Sequence, residues 1–159
     1  MKIYVDDCAV NKRVEKGIKQ AVRFFAQNER LPLITVVVVT VADYRKHKET
    51  KGAFGFTSQL GKKGLYLVTI SRKVANGLAK GHRVSWVTIF HEMQHVKQFQ
   101  KGELYYAGKK SDTFWKGVNI EHVSYRNNPS EIEAEKVGQE YADDFMAVYY
   151  DPQLTKLRK

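Results

Sequence analysis

The five residues His91-Glu92-Met93-Gln94-His95 set two imidazoles four positions apart, with a carboxylate directly after the first. On an α-helix, positions four apart lie one turn apart on one face, so both rings can offer a nitrogen to one ion. Glu92 is turned about 100° from His91, off the ion yet near enough to take a proton from water beside it. Zinc suits these ligands: neutral imidazole binds it well, and its bound water loses a proton near pH 7. The expected cofactor is one Zn²⁺ per chain.

The neighbours Val87, Thr88, Ile89, Phe90, Met93, Gln94 and Val96 are uncharged and largely apolar, which predicts a buried helix. Burying two histidines and a glutamate without partners costs several kcal/mol, and a bound cation is the simplest compensation. Two histidines do not complete a zinc site. The run SEIEAE (130–135) offers a third ligand at the start of a second helix, where Glu131 and Glu135 share a face and Glu133 points away from it. Glu131 is the expected ligand, with Glu135 beside a histidine N–H or as an alternative ligand. His122 is the rival, on the segment between the helices. A donor for a developing oxyanion is also expected, from His122, Tyr125 or Tyr141.

Several elements must position these groups. Asn11 to Glu29 carries apolar residues at Val14, Ile18, Ala21/Val22 and Phe25, the spacing of an amphipathic helix. Pro32 closes it, and the β-branched run ITVVVV reads as a buried strand. AFGFTSQ and LYLVTIS flank the turn LGKKG and predict a β-hairpin. The helix holding the histidines runs from Ser85 to about Gln100, and Tyr105 to Tyr125 is irregular, with short strand-like pieces and two glycine turns. Ser130 is the expected N-cap of the last helix, whose stripe is Ile132, Val137, Tyr141, Phe145 and Val148/Tyr149, ending at Asp151-Pro152.

At 159 residues, 43% hydrophobic and 28% charged, the chain is expected to form one domain over 1–159 and not a disordered or fibrous protein. Its one cysteine, Cys8, excludes an intrachain disulfide and fits a reducing cytoplasm. The N-terminus lacks the apolar run of a secretory signal. Leu31 to Val41 is about half the length of a membrane span. A soluble, cytoplasmic protein without a membrane partner is expected.

The net charge is +10, and residues 1–101 carry 19 Lys and Arg against 7 Asp and Glu. Clusters lie at Lys12-Arg13 with Lys16, Lys19 and Arg23, at YRKHKETK (44–51), at Lys62-Lys63 and at Arg72-Lys73. A solvated surface explains them, and nucleic acid is the other partner they suggest.

The stretches TIFHEMQHVKQ, FWKG (114–117) and YRNNPSEIEAE (125–135) resemble the zincin metallopeptidases, specifically the branch whose third ligand is glutamate. Among these the chain looks most like small phage and bacterial proteins of the SprT-like and ImmA/IrrE types, over roughly Trp86 to Phe145. In the ImmA/IrrE type, a glutamate three residues before an alanine binds zinc; Glu131 and Ala134 occupy those places, and Glu135 stands where the family has asparagine or aspartate. Lys97 replaces the apolar residue usual two positions after the second histidine. The resemblance implies a minimal α+β zincin fold: a small mixed β-sheet packed on an N-terminal helix, an active-site helix, and a C-terminal helix carrying the third ligand. An exposed edge strand, which the hairpin would supply, binds substrate backbone. The implied activity is peptide hydrolysis, with Glu92 as general base and a protein or peptide as substrate. The alternatives are a catalytically silent zincin acting by protein binding, and a DNA-associated protease using the basic half of the chain.

Overall fold

The computed structural model describes residues 1–6, 10–42, 54–61 and 64–150. Cys8, the basic run 44–51, Lys62-Lys63 and Asp151-Pro152 lie outside them. The fold is α+β. Strand β1 (Lys2–Val5) precedes helix α1 (Lys12–Asn28), whose first turn is capped by Asn11 accepting from the Val14 amide at 2.9 Å. Its buried face holds Val14, Ile18, Ala21, Val22 and Phe25, the stripe that the spacing predicts.

Strands β2 (Val36–Ala42), β3 (Gly55–Gln59) and β4 (Leu65–Ser71) follow. The sheet order is β1-β2-β4-β3, with β1, β2 and β4 parallel and β3 antiparallel to β4. The expected hairpin is therefore present as β3 and β4, and β3 is an edge strand. β2 is central, which explains its unbroken β-branched run: Val37 and Val39 are buried and Val36 and Val38 half-buried. Strand β1 carries no strong sequence signal, since only four residues pair with β2.

Helix α2 (Arg72–Ala79) starts directly after β4, with the Ser71 hydroxyl accepting from Val74 N. Its capping serine is also the last residue of a strand, which hides the helix from a pattern reading. Helix α3 (Arg83–Lys101) begins two residues before Ser85 and ends at Gly102, whose φ of 71° closes the last turn. The segment read as irregular contains a second sheet of three short strands, β5 (Leu104–Ala107), β6 (Asp112–Trp115) and β7 (Val118–Asn119). Leu104 and Trp115 bring this sheet into the core. A 3-10 turn over Tyr125–Asn127 leads to helix α4 (Pro129–Tyr149).

Two expectations about α4 need correction. Asn128, not Ser130, is the N-cap: its side chain accepts from the Ser130 amide at 3.0 Å, and Pro129 takes the first helical position, where its missing N–H costs nothing. The buried face is also different. It consists of Ser130, Ala134, Gly138, Ala142 and Phe145, while Ile132 is 56% exposed.

The small residues on that face let α4 lie close on α3. A Cβ at Gly138 would stand 2.9 Å from the Val87 carbonyl oxygen and 3.1 Å from the His91 amide nitrogen. The two helices run antiparallel, with Arg83 paired to Asp143 at one end and Gln98 bonded to the Ser130 carbonyl at the other. Between α1, α3 and α4 sits an aromatic cluster of Phe24, Phe25, Trp86, Phe90, Tyr141 and Phe145. Complete burial of Phe90 alone contributes about 1.5–3 kcal/mol. Among the described residues no helix is long and apolar enough to cross a membrane.

Candidate metal centre

Helix α3 presents His91 and His95 on one face, and α4 brings Glu131 against both. The His91 and His95 Nε2 atoms are 3.2 Å apart. Glu131 places Oε2 3.0 Å from His91 Nε2 and Oε1 3.4 Å from His95 Nε2. These three residues form a group that could hold a metal ion. His91, Glu92 and His95 are 7, 3 and 6% exposed, so none of them is an incidental surface group.

The hydrogen bonds behind the rings decide which way their lone pairs point. Gln98 is fully buried, and its amide nitrogen donates to the Ser130 carbonyl at 3.0 Å and to Glu133 Oε2 at 2.8 Å. Both partners are acceptors, which fixes the amide orientation and turns Gln98 Oε1 toward His95 Nδ1, 2.7 Å away. His95 must then carry its proton on Nδ1, leaving the Nε2 lone pair aimed at His91 and Glu131. On the other ring, His91 Nδ1 faces Glu135 Oε2 at 3.5 Å, so its Nε2 also points inward. Two imidazole lone pairs and a carboxylate thus converge, and an added positive charge stabilises all three.

The charges respond to this crowding. Burial alone would raise the Glu131 pKa, but hydrogen bonds and charge from His91 and His95 outweigh it and hold the carboxyl well below its usual range. Burial acts to lower the His95 pKa, and Glu131 and Glu92 overcome it and push it up. Glu92 goes the other way. Its burial dominates and raises its pKa, although His95, His91 and a hydrogen bond from Thr57 work to lower it.

Glu92 is held from the edge strand. The Thr57 hydroxyl donates to Glu92 Oε2 at 2.7 Å and lies 3.1 Å from the Glu92 carbonyl oxygen. Gly55, also on β3, leaves space for this side chain: a Cβ there would stand 2.9 Å from Glu92 Oε1. Strand β3 therefore both borders the centre and positions its buried acid.

No family model, curated protein or solved structure matches this chain. Its geometry has to be read from its own residues.

The other candidates divide. Glu135 is largely exposed and stands outside the three-residue group, behind His91. His122 is exposed and belongs to no metal-holding group among the described residues. Tyr125 lines the cleft over the centre, and its phenol hydrogen-bonds Glu131; burial, then that carboxylate, push its pKa up. Tyr141 is a correction. Its hydroxyl donates to Glu29 Oε1 at 2.6 Å and its ring packs on Phe25 and Phe90, so it serves the core instead of the cleft. Glu133 is another correction: it turns toward α3, accepting from Gln94 at 2.9 Å as well as from Gln98. Sequence reasoning missed Gln98, Glu133, Thr57 and Gly55. Gln98, three positions after His95, was the only one of these with a local signal. Thr57 is 35 positions from Glu92 and gave none.

The basic residues Lys12, Arg13, Lys16 and Arg23 lie exposed on α1. Lys97, the departure from the zincin pattern, forms an ion pair with Glu29 and so ties α3 to the end of α1.

Proposed function

We propose that the chain is a zinc metallopeptidase, with His91, His95 and Glu131 holding the ion and Glu92 as general base. The observation that carries this reading is the convergence of two histidines and a carboxylate beside a buried glutamate in an open cleft of about 800 Å³. Zinc bonds of about 2.0–2.1 Å in a tetrahedral site set neighbouring ligand atoms roughly 3.3 Å apart. The two Nε2 atoms, 3.2 Å apart, are close to that spacing, and each has one of the two Glu131 oxygens within 3.4 Å.

When bound, zinc supplies Lewis acidity toward water and the scissile carbonyl. The chain's own residues do the rest. Glu92 takes a proton from the attacking water and passes it on. The water's hydroxyl joins the carbonyl carbon, the C–N bond breaks, and the proton from Glu92 ends on the departing amine. Thr57 keeps the Glu92 carboxylate oriented through this exchange. We assign the developing oxyanion's donor to the Tyr125 phenol, which lines the cleft and would exchange its hydrogen bond to Glu131 for one to the substrate.

Zinc per chain, measured by elemental analysis of protein purified without chelators, tests this. About one zinc in the wild type that is lost in Glu131→Ala supports the ligand set. One zinc in both excludes Glu131, and none in either removes the metal on which the mechanism depends.

A further inference from the structure

The candidate metal centre lies in a cleft that runs along one face of α3 and has apolar residues on either side of the histidines. One face of α3 forms the floor, from Val84 through His91, Glu92 and His95 to Phe99. Val84 and Phe99 are about four turns apart, roughly 22 Å. An extended chain at about 3.3 Å per residue fits some six residues into that length.

Apolar side chains from several elements form much of the walls. Toward the start of α3 they carry Val84 and Val87, toward its end Phe99 with the Tyr106 ring against it, and Phe54 and Leu104 also line the cleft. Val84 and Tyr106 are 63 and 50% exposed, large apolar groups that a bound apolar segment would cover, while the half-exposed Phe54 ring carries Lys73 above it. The chain has 27 Lys and Arg, yet among the described residues none lines the cleft. Its charged lining consists of Glu92, Glu131 and Glu135 beside the two histidines. The Lys73 ammonium stands over the Phe54 ring and is not among the lining residues, so an acidic side chain beside the centre would meet like charge.

From this we infer the substrate class: an internal, extended segment of polypeptide with bulky apolar side chains on both sides of the cut, and no acidic residue near it. The inference rests on the peptidase reading for the cut itself, but the preference of the cleft for such a segment stands apart from it.

Two measurements separate these claims. The probe is an alanine-rich octapeptide blocked at both ends, with leucine and phenylalanine across its centre, compared with one bearing glutamates at those positions. Binding is read by fluorescence anisotropy on the zinc-loaded Glu92→Gln chain, and cleavage by mass spectrometry on the wild type. The expected result is at least about tenfold tighter binding of the apolar peptide, internal cleavage despite the blocked ends, and weaker binding to Val84→Ser and Tyr106→Ser. Both positions are exposed, so these variants are expected to fold.

Equal binding of the two peptides, or unchanged binding by both wall variants, overturns the inference. So does cleavage confined to peptides with free ends. Apolar preference in binding without any hydrolysis supports the cleft and instead defeats the peptidase reading. Hydrolysis indifferent to the flanking residues does the reverse.

Discussion

His95 Nδ1 donates to Gln98 Oε1 at 2.7 Å, and that one contact sets which nitrogen of His95 faces the metal centre. The contact is itself held by Glu133 and the Ser130 carbonyl, which leave Gln98 only one way to turn. A carboxylate on α4 thereby controls a ring on α3 without touching it.

Gln98→Leu removes this control while keeping the side chain's bulk. It leaves the His95 N–H and the Glu133 carboxylate short of partners, and zinc affinity is expected to fall about 10–100-fold. Competition against a chromophoric chelator measures this. Gln98→Glu keeps an acceptor for the ring but sets a second carboxylate against Glu133, so its stability is expected to drop as well.

Gly138→Ala tests the spacing of the two helices. The new methyl would meet backbone, the Val87 carbonyl oxygen at 2.9 Å, which cannot move aside as a flexible side chain can. A loss of about 1–3 kcal/mol is expected. At about 2–4 °C per kcal/mol for a chain of this size, thermal unfolding resolves it. Zinc affinity falls with it, since the shift carries Glu131 away from the histidines. An unchanged melting temperature would mean the helices have slack here.

Glu92→Gln separates chemistry from metal binding. The amide oxygen can still accept from Thr57, but it cannot take a proton from water. Zinc content is expected to stay near that of the wild type, while hydrolysis falls by about 10²–10⁴-fold. Persistence of hydrolysis in this variant would assign the base elsewhere.

The Glu29 cluster predicts an acid limb of stability. Burial works to raise the Glu29 pKa, but the Lys97 ammonium and the Tyr141 hydroxyl outweigh it, so the folded value lies below the ordinary 4.5. A carboxyl with a depressed folded pKa contributes stability fully above its unfolded pKa. That contribution is lost as pH falls through the folded value. Urea unfolding of wild type and Glu29→Gln is expected to differ at pH 7 and to converge as pH falls below the folded value. A constant difference across that range would show that the carboxylate charge contributes nothing.

How much of this could be read in advance varied with the range of the interaction. Helix α1, strand β2, the β3–β4 hairpin and helix α3 were legible because each buries a face whose period is local: Val14, Ile18, Val22 and Phe25 repeat with the helix, and Val37 and Val39 with the strand. Of the β5–β7 sheet only strand-like pieces and two glycine turns were legible, not their pairing, because its strands are two to four residues long. Of the α4 stripe, Phe145, Val137 and Tyr141 do meet the core, while Ile132 does not, and the small residues Ala134, Gly138 and Ala142 that contact α3 are passed over by a search for large apolar groups.

The sequence by itself determined that His91 and His95 share a helical face with Glu92 turned aside, since residues four apart on a helix meet whatever surrounds them. Only the tertiary structure decided the partners. Glu131 reaches the histidines because Gly138 allows α4 to approach; Thr57 meets Glu92 because β3 ends the sheet beside α3; Tyr141 turns to Glu29 because its ring fills the aromatic core. These contacts join residues 35 to 112 positions apart, and at that range packing, which local spacing does not encode, chooses the neighbour.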